Sequence, residues 1–169
     1  MQLFSESSII IPKEFCHLRS LKHLRLTLSG MMSLPDKFRN LTNLEHIELS
    51  RCQNSETLTN SFGNLVKLKN LLLYNCNNLT ISSENFENVS MLECIYLSFC
   101  NKIEVLPSQV VHQSSLEKLY LYLPNLKEWP SAIREPSGLE VEEYPKCFQS
   151  MKGTDQSLSS DWFLYGLGR

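Results

Sequence analysis

The chain has 169 residues, of which 42% are hydrophobic and 20% are charged, and its formal net charge is −2. This composition suffices for one domain with a hydrophobic core, and the near-neutral charge argues against nucleic acid or an anionic membrane as a partner. No apolar run is long enough for a transmembrane helix, and residues 1–10 lack the basic and apolar regions of a secretory signal. Leucine occurs 29 times and aspartate three times, so candidates for acid–base or metal chemistry are few.

A leucine pattern recurs along the chain with a nearly constant period. Five segments match L-x-x-L-x-L with leucine or isoleucine, and they begin at Leu21, Leu44, Leu68, Leu92 and Leu116. The steps between them are 23, 24, 24 and 24 residues, a register that chance does not keep. Because the end of each segment alternates with period two, it predicts a short strand whose leucines face inward.

Other positions follow the same period. One column holds aromatic or aliphatic residues, and another holds cysteine directly after each strand: Phe38, Phe62, Phe86, Val110 and Ile133; Cys52, Cys76 and Cys100. A single unit cannot bury its apolar face alone, so neighbouring units are expected to stack around one continuous core. We predict a short curved arc of six parallel strands on the concave side, with irregular or 3-10 segments on the convex side.

The five units resemble leucine-rich repeats, and the resemblance covers residues 11–145. The segments LPDKFRNLTNLEHIELSRC and NLVKLKNLLLYNCNNL are similar to repeats of plant intracellular immune receptors of the nucleotide-binding, leucine-rich-repeat family. The cysteine after the strand and the Leu-Pro pair followed by an apolar residue carry this likeness. The resemblance implies a leucine-rich-repeat solenoid and a role in plant defence and disease resistance, as a sensing or autoinhibitory domain in the cytoplasm or the nucleus. ATP binding is not implied, because no glycine-rich phosphate loop is present.

The repeat register divides the chain into three parts. Residues 1–10 form an incomplete opening repeat, residues 11–145 form the array, and residues 146–169 form a flexible tail with an aromatic end. The incomplete start has two equally weighted interpretations. In one, the chain is part of a longer protein or docks its open first repeat on a partner. In the other, the gene model is shortened. In the last unit Leu139 keeps the register, which predicts that Glu142 and Tyr144 take the next inward positions. The tail aromatics Trp162, Phe163 and Tyr165 are expected to fold back on the last repeat or to dock on another protein.

Outward positions of the strands are the candidate functional surface. The second half of the arc collects aromatic and apolar side chains, which are enriched where interfaces bury large rigid groups: Leu72, Tyr74, Tyr96, Phe99, Tyr120 and Tyr122. The first half offers a secondary polar patch: His23, Arg25, His46, Glu48 and Arg51. We predict that the aromatic residues bind another protein; the alternative is that tyrosine merely suits strands and that the tail covers the patch.

The remaining motifs argue against chemistry. No Cys-x-x-Cys pair exists, so the cysteine column is interpreted as buried thiols in a reducing, intracellular compartment. His23 and His46 share a column, but two histidines on a polar face are more often solvated than metal-bound. No nucleophile, base and acid fall on one face, so we expect no enzyme, metal or cofactor.

The predicted partner is therefore a protein, namely an effector, a host protein or a neighbouring domain. Two other hypotheses remain open at this stage. One is a scaffold subunit docked into a larger assembly through its open repeat edge and its tail. The other is a substrate-receptor repeat of a ubiquitin ligase.

Overall fold

A computed structural model describes residues 2–5, 13–28, 35–52, 58, 60–128 and 140–143. Within these ranges, seven parallel strands form one sheet in which the spatial order equals the order in the chain. The strands are β1 (Gln2–Ser5), β2 (His23–Leu28), β3 (His46–Ser50), β4 (Asn70–Tyr74), β5 (Cys94–Ser98), β6 (Lys118–Tyr122) and β7 (Glu140–Glu143). Each unit thus adds one strand beside the previous one, which confirms the predicted leucine-rich-repeat solenoid.

The return segments between strands are mostly 3-10 turns, as the proline- and asparagine-containing spacing predicts. Four 3-10 helices occupy this side among the described residues: Lys13–His17, Asp36–Asn40, Asn60–Asn64 and Ser83–Asn85. The fifth return segment instead contains a single α-helical turn, α1 (Ser108–Val111). Pro107 precedes this turn, and its carbonyl accepts a hydrogen bond from the Val110 amide at 3.0 Å.

The core lies between the sheet and the return segments. In the strands, inward leucines face their counterparts one repeat away: Ile47 is opposite both Leu24 and Leu71, and its side chain is fully buried. The aromatic column supplies the other wall of the same core, with the described members buried as predicted: Phe38, Phe62, Phe86 and Val110. Ile133 lies outside the described residues.

The cysteine column is also part of the core. Cys52, Cys76 and Cys100 are at most 1% exposed and are thiols. The Cys76 thiol donates to the Leu49 carbonyl at 3.6 Å, which lies one repeat earlier. The hydrogen bond with Cys76 and the burial of the group raise the pKa of the Cys100 thiol. The predicted structural role of this column is therefore confirmed.

The ends of the sheet differ from the sequence prediction in two respects. Seven strands are present in the described part rather than six, because the partial first unit and the irregular last unit each add one to the five strands of the regular units. The register of β7 was predicted wrongly: Val141 lies opposite Leu119 and Glu143 opposite Leu121, whereas we expected Glu142 and Tyr144 there. The reason is that this last step is only 22 residues long. Tyr144 itself lies outside the described residues.

Candidate functional site

The predicted aromatic residues lie together on one face of the sheet. We call the set Leu72, Tyr74, Tyr96, Phe99, Tyr120 and Tyr122 the aromatic surface. Strand alternation explains its position: in β4, Leu71 and Leu73 are buried whereas Leu72 and Tyr74 between and after them are partly exposed. The same alternation leaves Tyr96, Tyr120 and Tyr122 partly exposed on β5 and β6. The surface therefore spans three neighbouring strands.

The rings of the aromatic surface contact one another. Phe99 lies between two tyrosines, with its ring centroid 5.8 Å from that of Tyr74 in an edge-to-face arrangement and 4.3 Å from that of Tyr122. Tyr96 and Tyr120 form a second pair at 6.1 Å. Such mutual contacts fix the orientation of the rings before any partner arrives.

Phe99 takes its place through an unusual backbone conformation. Its φ is 53°, in the left-handed region, and the residues at the same position of the two preceding repeats, Arg51 and Asn75, have φ of 58° and 54°. The Phe99 amide donates to the Tyr122 carbonyl of the next repeat at 2.9 Å. A bulky side chain rarely adopts this region, and here it is 40% exposed. Among these three residues, only Asn75 is of a type that tolerates the left-handed region, so it is the one sequence signal for this backbone conformation.

Two serines at the same strand position as Tyr74 and Tyr122 are buried, although the alternation of the strands predicts that they face outward. Ser98 is 2% exposed and Ser50 is 8% exposed. Both are small and lie on strands between bulkier outward neighbours, and Ser50 shares a 2.8 Å hydrogen bond with Thr27.

Burial raises the pKa of the Tyr74 hydroxyl, against a lowering effect of Arg51. Tyr74 therefore stays a neutral donor at physiological pH.

The polar surface, His23, Arg25, His46, Glu48 and Arg51, lies on the first half of the sheet as predicted. The imidazole rings of His23 and His46 stack with centroids 4.3 Å apart and an interplanar angle of 7°. The side-chain amide nitrogen of Asn70, Nδ2, donates to Nδ1 of His46 at 2.7 Å. Burial and the neighbouring His23 lower the pKa of His46, so the stacked pair favours the neutral form of this ring.

Two charged members of the polar surface, Arg25 and Glu48, pair across strands. Arg25 Nε lies 2.8 Å from Glu48 Oε1, and the two residues are directly opposite each other in β2 and β3. Burial raises the pKa of the Glu48 carboxyl, while Arg25 lowers it. Four of the five members of the polar surface thus contact one another in pairs, His23 with His46 and Arg25 with Glu48, whereas the aromatic surface is made of uncharged side chains.

The described residues contain no group of three or more His, Cys, Asp or Glu side chains placed to hold a metal ion. None of the helices in that part of the chain has the length and apolar character of a membrane-spanning segment. The tail residues Trp162, Phe163 and Tyr165 lie outside the described ranges. The absence of catalytic activity stays a prediction from the sequence.

Solved structures with the same architecture are known. The leucine-rich-repeat domain of the type III effector XCV3220 (XopL) has a TM-score of 0.67 and 23% identity, over 82% of this chain and 49% of that chain. The Leptospira interrogans leucine-rich-repeat protein LIC12759 has a TM-score of 0.52 and 24% identity, over 81% of this chain and 40% of that chain.

At these identities the likeness concerns the fold alone, and the chain spans half or less of the length of both structures. Comparisons with protein-family models and with curated protein sequences gave no match. The sheet order, the repeat register and these two structures agree on one architecture. The chain is a leucine-rich-repeat solenoid.

Proposed function

We propose that the chain is a non-catalytic protein-binding module and that the aromatic surface is its contact area. The observation that carries this proposal is the presence of five aromatic rings on one face of the sheet, in two contacting groups. One group holds Tyr74, the 40% exposed Phe99 and Tyr122, and the other is the pair Tyr96 and Tyr120. Contiguous apolar patches on a protein surface mark interaction sites, and aromatic anchors supply most of the binding energy in many interfaces.

The sheet gives this surface a low cost of binding. The tyrosines of β4, β5 and β6 sit on hydrogen-bonded strands, so their backbones lose little freedom when a partner docks. Their rings supply apolar contact area, while their hydroxyls offer hydrogen bonds to a partner's backbone. The polar surface borders the aromatic surface and supplies charges that orient the encounter and set specificity.

A more specific role follows from the resemblance of the repeats to those of plant immune receptors. We propose that the module senses a protein, such as an effector or a modified host protein, or holds a neighbouring domain inactive, inside the cell. The resemblance of the Leu-Pro and cysteine positions supports this role. Expression of the chain beside a nucleotide-binding signalling domain, with cell death as the readout, tests it.

The binding surface is tested by affinity capture from native extract with three forms of the full chain. These are the wild type, the double variant Tyr96→Ala/Tyr120→Ala, and a control, Val66→Ala/Met91→Ala. The control removes two exposed apolar side chains that lie outside the strands.

We expect the wild type and the control to capture the same proteins and the tyrosine variant to lose them. The melting temperature of the tyrosine variant should stay within a few degrees of the wild-type value, since both side chains are only partly buried. Capture that survives the loss of both tyrosines would contradict the assignment of the site.

A scaffold role is the second candidate. It is favoured by β1 and β7, the edge strands of the described sheet, because edge strands present backbone groups that can pair with another chain. In that case the same proteins would be captured by all three forms, at a fixed ratio to the chain.

A further inference from the structure

The path of the chain beyond β7 starts beside the aromatic surface. β7 ends at Glu143, which lies opposite Leu121 in β6, and Tyr122 is the next residue of β6. The chain therefore leaves the sheet at the end of the strands where Tyr122 and Phe99 lie. Phe99 directly follows β5, two strands away from β7, at a distance of about 10 Å on ordinary strand spacing.

The sequence after β7 contains a polar stretch followed by an apolar one. Residues 144–161 carry two lysines and two aspartates, Lys146, Lys152, Asp155 and Asp161, and so have no net charge. Residues 162–167 read WFLYGL and are uncharged. The aromatic surface is likewise built from uncharged side chains, so the contact would bury no charged member of either set.

The length of the polar stretch matches the required span. Eighteen residues separate Glu143 from Trp162, and a flexible chain of that length has a root-mean-square extent of about 21–25 Å. This exceeds the distance to Phe99 and remains short enough for an effective concentration in the millimolar range. Even weak intrinsic affinity then suffices to hold the segment on the surface.

We propose that residues 162–167 dock on the aromatic surface of their own chain and compete there with a protein partner. The competition rests on the proposed function, whereas the docking itself does not. The segment would supply the large apolar groups that the rings of Tyr74, Phe99 and Tyr122 are positioned to receive. The tail would thus be an autoinhibitory element that a partner must displace.

The docking is tested by the fluorescence of Trp162 in the full chain. The protein has two tryptophans, so Trp129→Phe leaves Trp162 as the only one. Docking predicts emission at shorter wavelength than that of a synthetic peptide of residues 159–169, together with several-fold weaker quenching by acrylamide. Emission and quenching equal to those of the peptide would overturn the proposal without any need for a surface variant.

Two variants in the Trp129→Phe background locate the docking site. Phe99→Ala/Tyr122→Ala should shift the Trp162 emission towards that of the peptide, whereas the control Val66→Ala/Met91→Ala, at exposed positions outside the strands, should leave it protected. Unchanged protection in a folded aromatic-surface variant would place the tail elsewhere and overturn the proposal. Protection that disappears on dilution would assign the site to the tail of a second copy and would also overturn it.

Competition is measured with a partner identified by affinity capture. Replacing Trp162, Phe163 and Tyr165 by serine in the full chain should increase the affinity of the chain for that partner several-fold. Failure of the proposed function would leave the Trp162 signal intact and remove only this last effect. If the tail proposal is wrong, Trp162 is as exposed in the full chain as in the peptide, while capture through the tyrosines persists.

Discussion

Among single residues, Phe99 is the one whose identity conflicts most with its backbone. Its φ of 53° suits glycine or asparagine, since a β-carbon in the left-handed region approaches the following carbonyl oxygen. The two ring contacts with Tyr74 and Tyr122 offset part of this strain. Strained backbone positions cluster at functional sites, which agrees with the proposed role of Phe99 in binding.

Comparison of Phe99→Asn with Phe99→Ala isolates the backbone strain, because both variants remove the ring. We expect Phe99→Asn to have the larger free energy of unfolding, by about 1 kcal/mol, because asparagine tolerates the left-handed region. Urea denaturation of the two variants measures the difference. Equal stabilities would show that position 99 is not held at positive φ in solution.

His46 should make the stability of the protein depend on pH. Its pKa in the folded protein is lowered from 6.5, mainly by burial and then by His23. As the pH falls below about 6.5, the unfolded chain therefore takes up this proton before the folded one does, and stability decreases. Stability from this group is regained as the pH rises through the same window.

This effect is measured by thermal unfolding of the wild type and His46→Gln between neutral pH and about pH 5. On acidification, the melting temperature of the wild type should decrease more than that of the variant. A parallel loss in both proteins would assign the pH dependence to other groups.

Among the secondary-structure elements, the 3-10 turns of neighbouring repeats pack closely against each other. A β-carbon at Gly63, in the turn Asn60–Asn64, would lie 2.9 Å from the backbone oxygen of Glu84 in the next turn. The contact is between two backbone segments that the repeat holds in place, so no flexible side chain can move to relieve the clash. The residue one repeat away from Gly63 on either side is charged, Arg39 and Glu87, so the periodic pattern alone does not indicate this constraint.

Gly63→Ala should lower the free energy of unfolding by about 1–3 kcal/mol through overpacking. The control is Asn64→Ala at the neighbouring, exposed position, which should change stability by less than about 0.5 kcal/mol. Chemical denaturation of both variants tests this contrast, and a stable Gly63→Ala protein would show that the two turns can separate at little cost.

For the whole molecule, stability comes from neighbouring units that share one core. Each strand of the described sheet contacts the strands directly beside it, which is the pattern of a quasi-one-dimensional array. Leu71 lies in a central unit, fully buried, with Ile47 and Ile95 opposite it on the two sides. A defect there weakens two interfaces between units at once.

Leu71→Ala should therefore cost about 2–5 kcal/mol of unfolding free energy, the range for a buried leucine that leaves a cavity. Urea denaturation followed by circular dichroism measures the loss, and Leu18→Ala, at a 44% exposed leucine of an outer unit, is the matched control. A loss below 1 kcal/mol would contradict the continuous core.

The sequence by itself determined the solenoid, the parallel strands and the inward leucines. These follow from a fixed period, because a repeat of 23–24 residues places equivalent side chains at equivalent depths. The outward positions of Tyr74, Tyr96 and Tyr120 follow from the same alternation. The repeat also predicted that the cysteine column is buried.

Only the tertiary structure decided the features that depend on contacts between units. The stacking of His23 on His46, the buried Ser98 and the left-handed turn at Phe99 each result from distances between residues far apart in the chain. The register of β7 also differed, because a step two residues shorter than the regular period shifts the strand relative to any extrapolated pattern. A period fixes which face a residue belongs to, whereas packing across repeats fixes what it touches there.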